Sequence, residues 1–385
     1  MGDRSLAHER PAFGVHSVSG FCDDVFGYLP RVDQRRWADI YVRGLLSTPG
    51  RKTVRHMART LALPASASQA LQHFVTASPW NWEAAQRELV RLAASSLSDP
   101  VWTSGTVLLE KRGSDSVGVG RHKDPSGRLV NCQVAIGLFL ADDRASLPVS
   151  WRLLMDDAWC GDPERRRRAR VPDSVTPLPA WALALDMVGQ VAGPHAPGSA
   201  PMVFGLTAAR DTARLARQPA LRRRGFIIEV SSDQPLVAVS GPGGPPPGPE
   251  VTVTASEAAR RAGLQHRMGG NRPLSVFVRL APESGGSAGR QVLRLIAEPS
   301  VAEAGHRRFW ITSLRDAGAE TVRRLARRSV STDATLRYMK SDLGLLDFEG
   351  RSFPGWHHHM TLASAAFHRR RPSRRSGPCV EALSA

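Results

Sequence analysis

Three histidines in a row, His357-His358-His359, are the residues in this chain most suggestive of metal chemistry. Neighbouring residues of a helix point roughly 100° apart, so three adjacent imidazoles do not easily close on one ion. Packing or contact with a nucleic-acid backbone is the favoured reading. Arginine is the second signal. Arg165 and Arg166 open a run that ends at Arg168 and follows Asp162-Pro163-Glu164, a helix start. Such a run is either a solvated helix end or a set of phosphate contacts that position DNA without reading its sequence. The arginines at 222–224 and 369–371 allow the same two readings. Arg51, Lys52, Arg55 and Arg59 share one helical stretch and give either DNA contact or a solvated basic face. Trp80, Trp82, Trp151, Trp159 and Trp356 could stack on bases, but tryptophan more often packs in cores, and they are read that way. Gly118-Val119-Gly120 lacks the later glycine of a dinucleotide loop. No Ser-His-Asp or Cys-His arrangement is identifiable from spacing.

The charge of the whole chain agrees with the arginine signal. Lys and Arg number 52 against 35 Asp and Glu, for a net charge of +17 and a pI near 11.1. That excess points to a polyanionic partner, nucleic acid first. Only Lys52, Lys111, Lys123 and Lys340 are lysines. A genome rich in G and C would explain arginine in place of lysine, but not the excess of bases over acids. The 385 residues suggest two or three domains, and 42% hydrophobic with 23% charged residues is ordinary for a globular protein. Cys22, Cys132, Cys160 and Cys379 have no metal-ligand spacing and read as free thiols. No apolar run reaches the roughly 18 residues of a membrane helix, and the first residues are polar. The expectation is a cytoplasmic protein with no membrane partner.

These residues need elements to position them. Helices are expected at Val32 to Leu46, Val54 to Leu63, Ser66 to Phe74 and Trp82 to Ser95, with breaks at Pro49-Gly50, Pro64 and Ser78-Pro79. Short helices with tight breaks suit a helix-turn-helix reader. Strand-like runs follow at Val107 to Leu109, Ser116 to Gly120 and Val130 to Leu140, then a helix at Pro179 to Val191. A strand at Pro201 to Phe204, a helix at Arg210 to Arg217 and a strand at Gly225 to Val230 come next. The GPGGPPPGP run at 241–249 is a surface loop. Around it, Leu236 to Val239, Leu274 to Leu280, Val292 to Ala297 and Phe309 to Leu314 form a β-rich insertion. A helix spans Ala319 to Leu343, and the Arg-rich tail from His368 is expected to be disordered. There are no internal repeats.

Several segments carry a family resemblance. SVGVGRHKDPSGRLVNCQVAIGLFLADDRASLPVSWRL (Ser116 to Leu153) and DDAWCGDPERRRRARVPDSV (Asp156 to Val175) resemble the "701" family of bacterial insertion-sequence transposases, of the DDE class. FGYLPRVDQRRWADIYVRGLL (Phe26 to Leu46) resembles that family's leader helices, and LGLLDFEGRSFPGWHHHMTLASAAF (Leu343 to Phe367) resembles its ending. The resemblance implies an RNase-H-like fold: a mixed sheet flanked by helices, with a β insertion before the last catalytic helix. The fold class expected is therefore α/β. A helical, DNA-binding domain would occupy 1–98, and an RNase-H-like domain 99–367 with its insertion at about 231–310. A basic tail would occupy 368–385.

The family's chemistry needs three carboxylates holding two Mg²⁺ ions, which activate the attacking hydroxyl and stabilise the leaving oxygen. The resemblance places the first acid a few residues before the triplet Lys111-Arg112-Gly113, at Gly105-Thr106. It places the second after Met202-Val203-Phe204, at Gly205, and the third at Asp333, counted back from Lys340 and Leu343-Gly344-Leu345. Two of the three positions carry no acid. The reading is a DNA-binding relative with the catalytic acids largely lost, needing no cofactor and in keeping with a homodimer. Duplex DNA would be contacted by Arg51, Lys52, Arg55, Arg59, Lys111, Arg112, Arg165, Arg166, Arg337 and Lys340. Two alternatives stay open: an active transposase using Mg²⁺ and acids such as Glu110, Asp211 and Asp333, and an interaction protein without a DNA role.

Overall fold

A computed structural model describes residues 18–124, 126–239, 251–265, 273–282, 291–298 and 308–370. Five helices come first: α1 (Val18–Phe26), α2 (Val32–Ser47), α3 (Val54–Thr60), α4 (Ala67–Thr76) and α5 (Trp82–Ser96). Local chemistry sets their starts. The Thr53 hydroxyl accepts from the His56 amide to cap α3, and the Asn81 side chain accepts from Glu83 to cap α5. Then follow β1 (Val101–Glu110), β2 (Val119–Lys123), β3 (Leu129–Ala141), β4 (Ser146–Leu153), α6 (Asp157–Cys160), α7 (Pro163–Ala169) and α8 (Ala180–Val191). Asp162 caps α7 by accepting from the amides of Glu164 and Arg165, and Pro163 fills its first position. Next come β5 (Met202–Thr207), α9 (Ala209–Ala216), α10 (Pro219–Arg224), β6 (Phe226–Val230), β7 (Pro235–Ala238), β8 (Thr252–Thr254), α11 (Ala255–Gln265), β9 (Leu274–Leu280), β10 (Leu293–Ala297) and β11 (Phe309–Thr312). The last two helices are α12 (Ala319–Asp342) and α13 (Phe353–Arg370).

One mixed sheet organises these elements. Its central part runs β4-β3-β1-β5-β6, in which β3 is antiparallel to both β1 and β4, and β5 is parallel to both β1 and β6. That order and polarity are RNase-H-like, as expected. β2 pairs with the first half of β3 as a projecting hairpin. The strands of the expected insertion continue the same sheet: β11 is antiparallel to β6, and β10, β9, β7 and β8 follow in turn. α11 packs on that extension, a helix where only strands were expected.

α12 crosses the face of β1, β3, β4 and β5, and α13 sits between β4 and the N-terminal helices α2, α4 and α5. The larger apolar core runs from Phe26 and Leu45 through Trp102 and Trp151 to Trp356 and Met360, and a second one, under the first half of α12, joins Val322 and Ala326 to Val203, Ile227 and Trp310. Burying aromatics of this size is strongly stabilising, and four tryptophans are fully buried.

Among the elements that the sequence reading did not name, β4 and α13 each have a physical reason. β4 contains Pro148, which removes a ladder donor and weakens any strand signal. Pro148 lies opposite Phe139 at the point where the β3–β4 register shifts, so the proline is accommodated at an irregularity. α13 is buried on all sides from Gly355 to Ala366, so it has no polar stripe and no readable 3.6-residue period. Its last turn contains His368, Arg369 and Arg370, so the expected tail begins as helix. The 241–249 loop and residues 371–385 lie outside the described residues.

Candidate functional site

The first strand and the late helix meet where the family resemblance predicts chemistry. Thr103 and Gly105 lie on the face of β1 that α12 covers. Thr103 Oγ1 is 2.6 Å from Thr332 Oγ1, which is also 2.8 Å from Ser146 Oγ. A Cβ placed on Gly105 would lie 2.5 Å from Leu336 Cδ1 and 3.3 Å from Thr332 Cγ2. The space in which a residue-105 carboxylate would stand is thus filled by an apolar side chain. Arg328, almost wholly buried, locks this crossing by donating to Asp143 Oδ1 at 2.9 Å and to the Asp99 carbonyl at 2.6 Å.

Gly205 differs from Gly105. It lies in β5 beside an irregularity between Phe204 and Thr207, it is exposed, and a Cβ there would meet nothing within 4 Å. An acid would fit sterically, but none is present. Asp333 follows Thr332 on α12 and so turns roughly 100° away from the β1-facing positions. Its charged neighbours are Arg337, Arg308 and Glu229. Asp333 lies on the exposed side of α12, yet partial desolvation raises its carboxyl pKa above the usual aspartate value. Arg337 and Arg308 oppose that rise and Glu229 adds to it. Glu229, in β6, already accepts two bonds from Arg308, at 2.8 and 2.5 Å. The α12 residues over Gly105 are Thr332 and Leu336, and neither is acidic.

The other acids considered are dispersed. Glu110 ends β1 and faces Arg128 at 3.7 Å. Five residues of strand, about 17 Å, separate it from Gly105. Asp211 is in the first turn of α9. Among the described residues no group of three or more His, Cys, Asp or Glu side chains could hold a metal ion. The donor set at positions 105, 205 and 333 does not fit a site for two hard cations, which needs several converging carboxylate oxygens.

The basic residues divide by what they touch. Lys52 is buried, and its ammonium donates to the Thr48 carbonyl while its amide donates to Asp347 Oδ2 at 2.8 Å. Lys111 donates to the Phe348 carbonyl at 2.8 Å, and burial lowers its pKa against the pull of Asp347 and Glu349. Arg166 braces the α7 region through the carbonyls of Cys160, Val175 and Pro172, and Arg165 stacks on the Trp159 ring at 3.9 Å. Arg51 pairs with Glu349 at 2.8 Å at the surface. Arg55 and Arg59 stand one turn apart on the exposed face of α3, and Arg112, Arg337 and Lys340 are exposed.

The three histidines lie within the protein. His357 bonds the Phe353 carbonyl at 3.0 Å and stacks on Trp82. His358 lies between the carbonyls of Val75 and Trp80, at 3.0 and 2.9 Å, and stacks on Trp80 at 3.9 Å. His359 contacts the Tyr41 hydroxyl at 3.0 Å and the Gly344 carbonyl at 3.1 Å. Burial holds His358 and His359 down at a pKa of about 4, and His357 well below its ordinary value. They are neutral packing groups joining α13 to α2, α4 and the segments beside them.

No helix among the described residues is long and apolar enough to cross a membrane. No curated protein matches the chain. The family model of the DDE superfamily endonucleases matches residues 24–269, which takes in α2 to α5, β1 and β5 but ends before α12. A match over well over half of the sequence, on a sheet with the RNase-H-like order, shows that the chain belongs to the DDE superfamily endonuclease family.

Proposed function

We propose that this chain is a transposase-like protein of the "701" type that binds duplex DNA and does not cut it. The observation carrying this reading is the contact between β1 and α12: Leu336 and Thr332 fill the space over Gly105, where the family resemblance puts the first metal-binding carboxylate. The open position at Gly205 and the separate neighbourhood of Asp333 support it. DNA contact rests on the net charge of +17 and on exposed bases, chiefly Arg55, Arg59, Arg112, Arg337 and Lys340. Lys52, Lys111 and Arg166 support the scaffold through their carbonyl partners. A scaffold kept without its acids suits a regulator of nearby genes.

The test is a titration of labelled duplex DNA at several salt concentrations, with Mg²⁺, with Mn²⁺ and with neither, followed by a denaturing gel. Salt-dependent binding with intact DNA in every condition is the expected result. Metal-dependent nicks lost on changing Asp333, Glu110 or Asp211 to Ala would overturn the non-cutting reading. Negligible affinity at physiological salt would overturn the DNA reading itself.

A further inference from the structure

A cavity of about 560 Å³ opens at the end of α10 and is lined by Arg222, Arg223, Arg224 and Arg315 together with Gln291 and Ser313. It lies at the beginning of β6, next to the end of β11, where the Phe226 amide donates to Ser313 Oγ at 3.0 Å and the Ser313 amide donates to the Phe226 carbonyl. Glu229 lies three residues further along β6, about 10 Å away. The cavity is therefore at the opposite end of the central strands from Gly205 and the Glu229–Asp333 neighbourhood.

On the two helices that flank the extended sheet, α11 and α12, arginines are answered by acids: Arg260 and Arg261 by Glu257, Arg323 by Glu320, Arg327 by Glu298. The cavity is different. Among the described residues no carboxylate forms an ion pair with Arg222, Arg223, Arg224 or Arg315. Asp316 follows Arg315 in sequence but does not line the cavity, and its charge acts on Arg294. Arg224 is anchored by the carbonyls of Pro197 and Gly198, at 3.2 and 2.7 Å, and burial lowers its pKa. A basic last turn favours the end of any helix, which accounts for one or two of these arginines. It does not account for Arg315, which comes from the segment after the neighbouring strand β11 and lines the same space.

We infer that this cavity is a binding site for a polyphosphate group. Four arginines line this concavity of nucleotide size, Arg224 held in place by its carbonyl partners and Arg315 entering from a second segment, and planar donor forks of this kind suit the charge of linked phosphates. The phosphates would come from a free polyphosphate or nucleotide, or from the backbone of bound DNA.

The probes are inorganic tripolyphosphate, titrated into the full chain by calorimetry, and a short labelled duplex, titrated by anisotropy. The test variant is R222S/R223S. R260S/R261S removes the same charge elsewhere and controls for non-specific attraction to a cationic surface. Both pairs are exposed, and unchanged melting verifies folding. Saturable one-to-one binding of tripolyphosphate, weakened at least about tenfold by R222S/R223S and unchanged by R260S/R261S, is expected. If duplex affinity falls by the same factor and tripolyphosphate competes with the duplex, the phosphates are those of DNA. If duplex affinity is unchanged, the ligand is a free polyphosphate or nucleotide. Equal losses in both variants, or no saturable binding to the wild type, overturn the site. Duplex binding that fails while tripolyphosphate binds would overturn the DNA reading and leave this one standing.

Discussion

Lowering the pH from about 7 to about 5 should remove a large part of this protein's stability through His358 and His359. Each is buried to within 1% and is held down at a pKa of about 4, against 6.5 for a solvated imidazole. The unfolded chain therefore takes up a proton at each site as the pH falls through 6.5, whereas the folded chain resists until about 4. Stability from these groups is fully present above the unfolded value and is lost on the way down to the folded one. At about 1.4 kcal/mol per pKa unit, the whole window is worth about 3 kcal/mol per histidine, of which about 2 falls between pH 7 and pH 5. The pair then loses about 4 kcal/mol before most carboxylates titrate, against a typical total of about 5–15. His357 adds in the same direction. Urea denaturation at stepped pH, followed by tryptophan fluorescence, measures this, since the buried Trp80 stacks on His358 and the partly buried Trp82 on His357. His359→Gln should start out less stable at pH 7 and show a pH dependence shallower by about 2 kcal/mol over the same range. A wild-type midpoint flat from pH 7 to 5, or a variant with the wild-type slope, would refute the linkage.

Other expectations concern the β1–α12 crossing and the basic surface. Gly105→Asp should destabilise by about 3 kcal/mol, because its Cβ would clash with Leu336 and its carboxylate would be poorly solvated. Leu336→Ala should cost about 2–5 kcal/mol alone, and the double variant less than the sum. Additive costs in thermal melts would show that the two sites do not share that space. Arg328→Ala should cost about 3 kcal/mol by removing the bonds to Asp143 and the Asp99 carbonyl; a change within experimental error would mean that α12 is held without it. Removing Arg55 and Arg59 together should weaken duplex binding across sequences and reduce the slope of log K against log salt by about 2. An unchanged slope would take α3 out of the DNA surface.

Much of the fold was legible because local rules and tertiary structure agreed. α12 was expected from Ala319 to Leu343 and runs to Asp342, since it has one buried stripe and one charged face. β5, β6 and β9 were likewise set by short apolar runs between breaks. Two of the elements missed lack a readable pattern: burial on every side erases it in α13, and a proline conceals the strand β4. α11, inside the insertion, was missed although its helix former content is ordinary; the neighbouring strand signals dominated the reading.

The site was legible only in part. The sequence by itself determined the chain's charge, its family resemblance and the residue types at 105, 205 and 333. These are one-dimensional facts that follow from order and spacing. Which basic residues are free could not be read there: Lys52 and Lys111 look like any surface lysine until the carbonyls of Thr48 and Phe348 are brought to them, the second from more than two hundred residues away. The same holds for the three histidines, whose neutral state depends on walls contributed by α2, α4 and the Gly344 turn. Only the tertiary structure decided that Leu336, not Asp333, stands over Gly105. A one-residue step along a helix turns a side chain through roughly 100°, and only packing against β1 fixes which residue faces the strand.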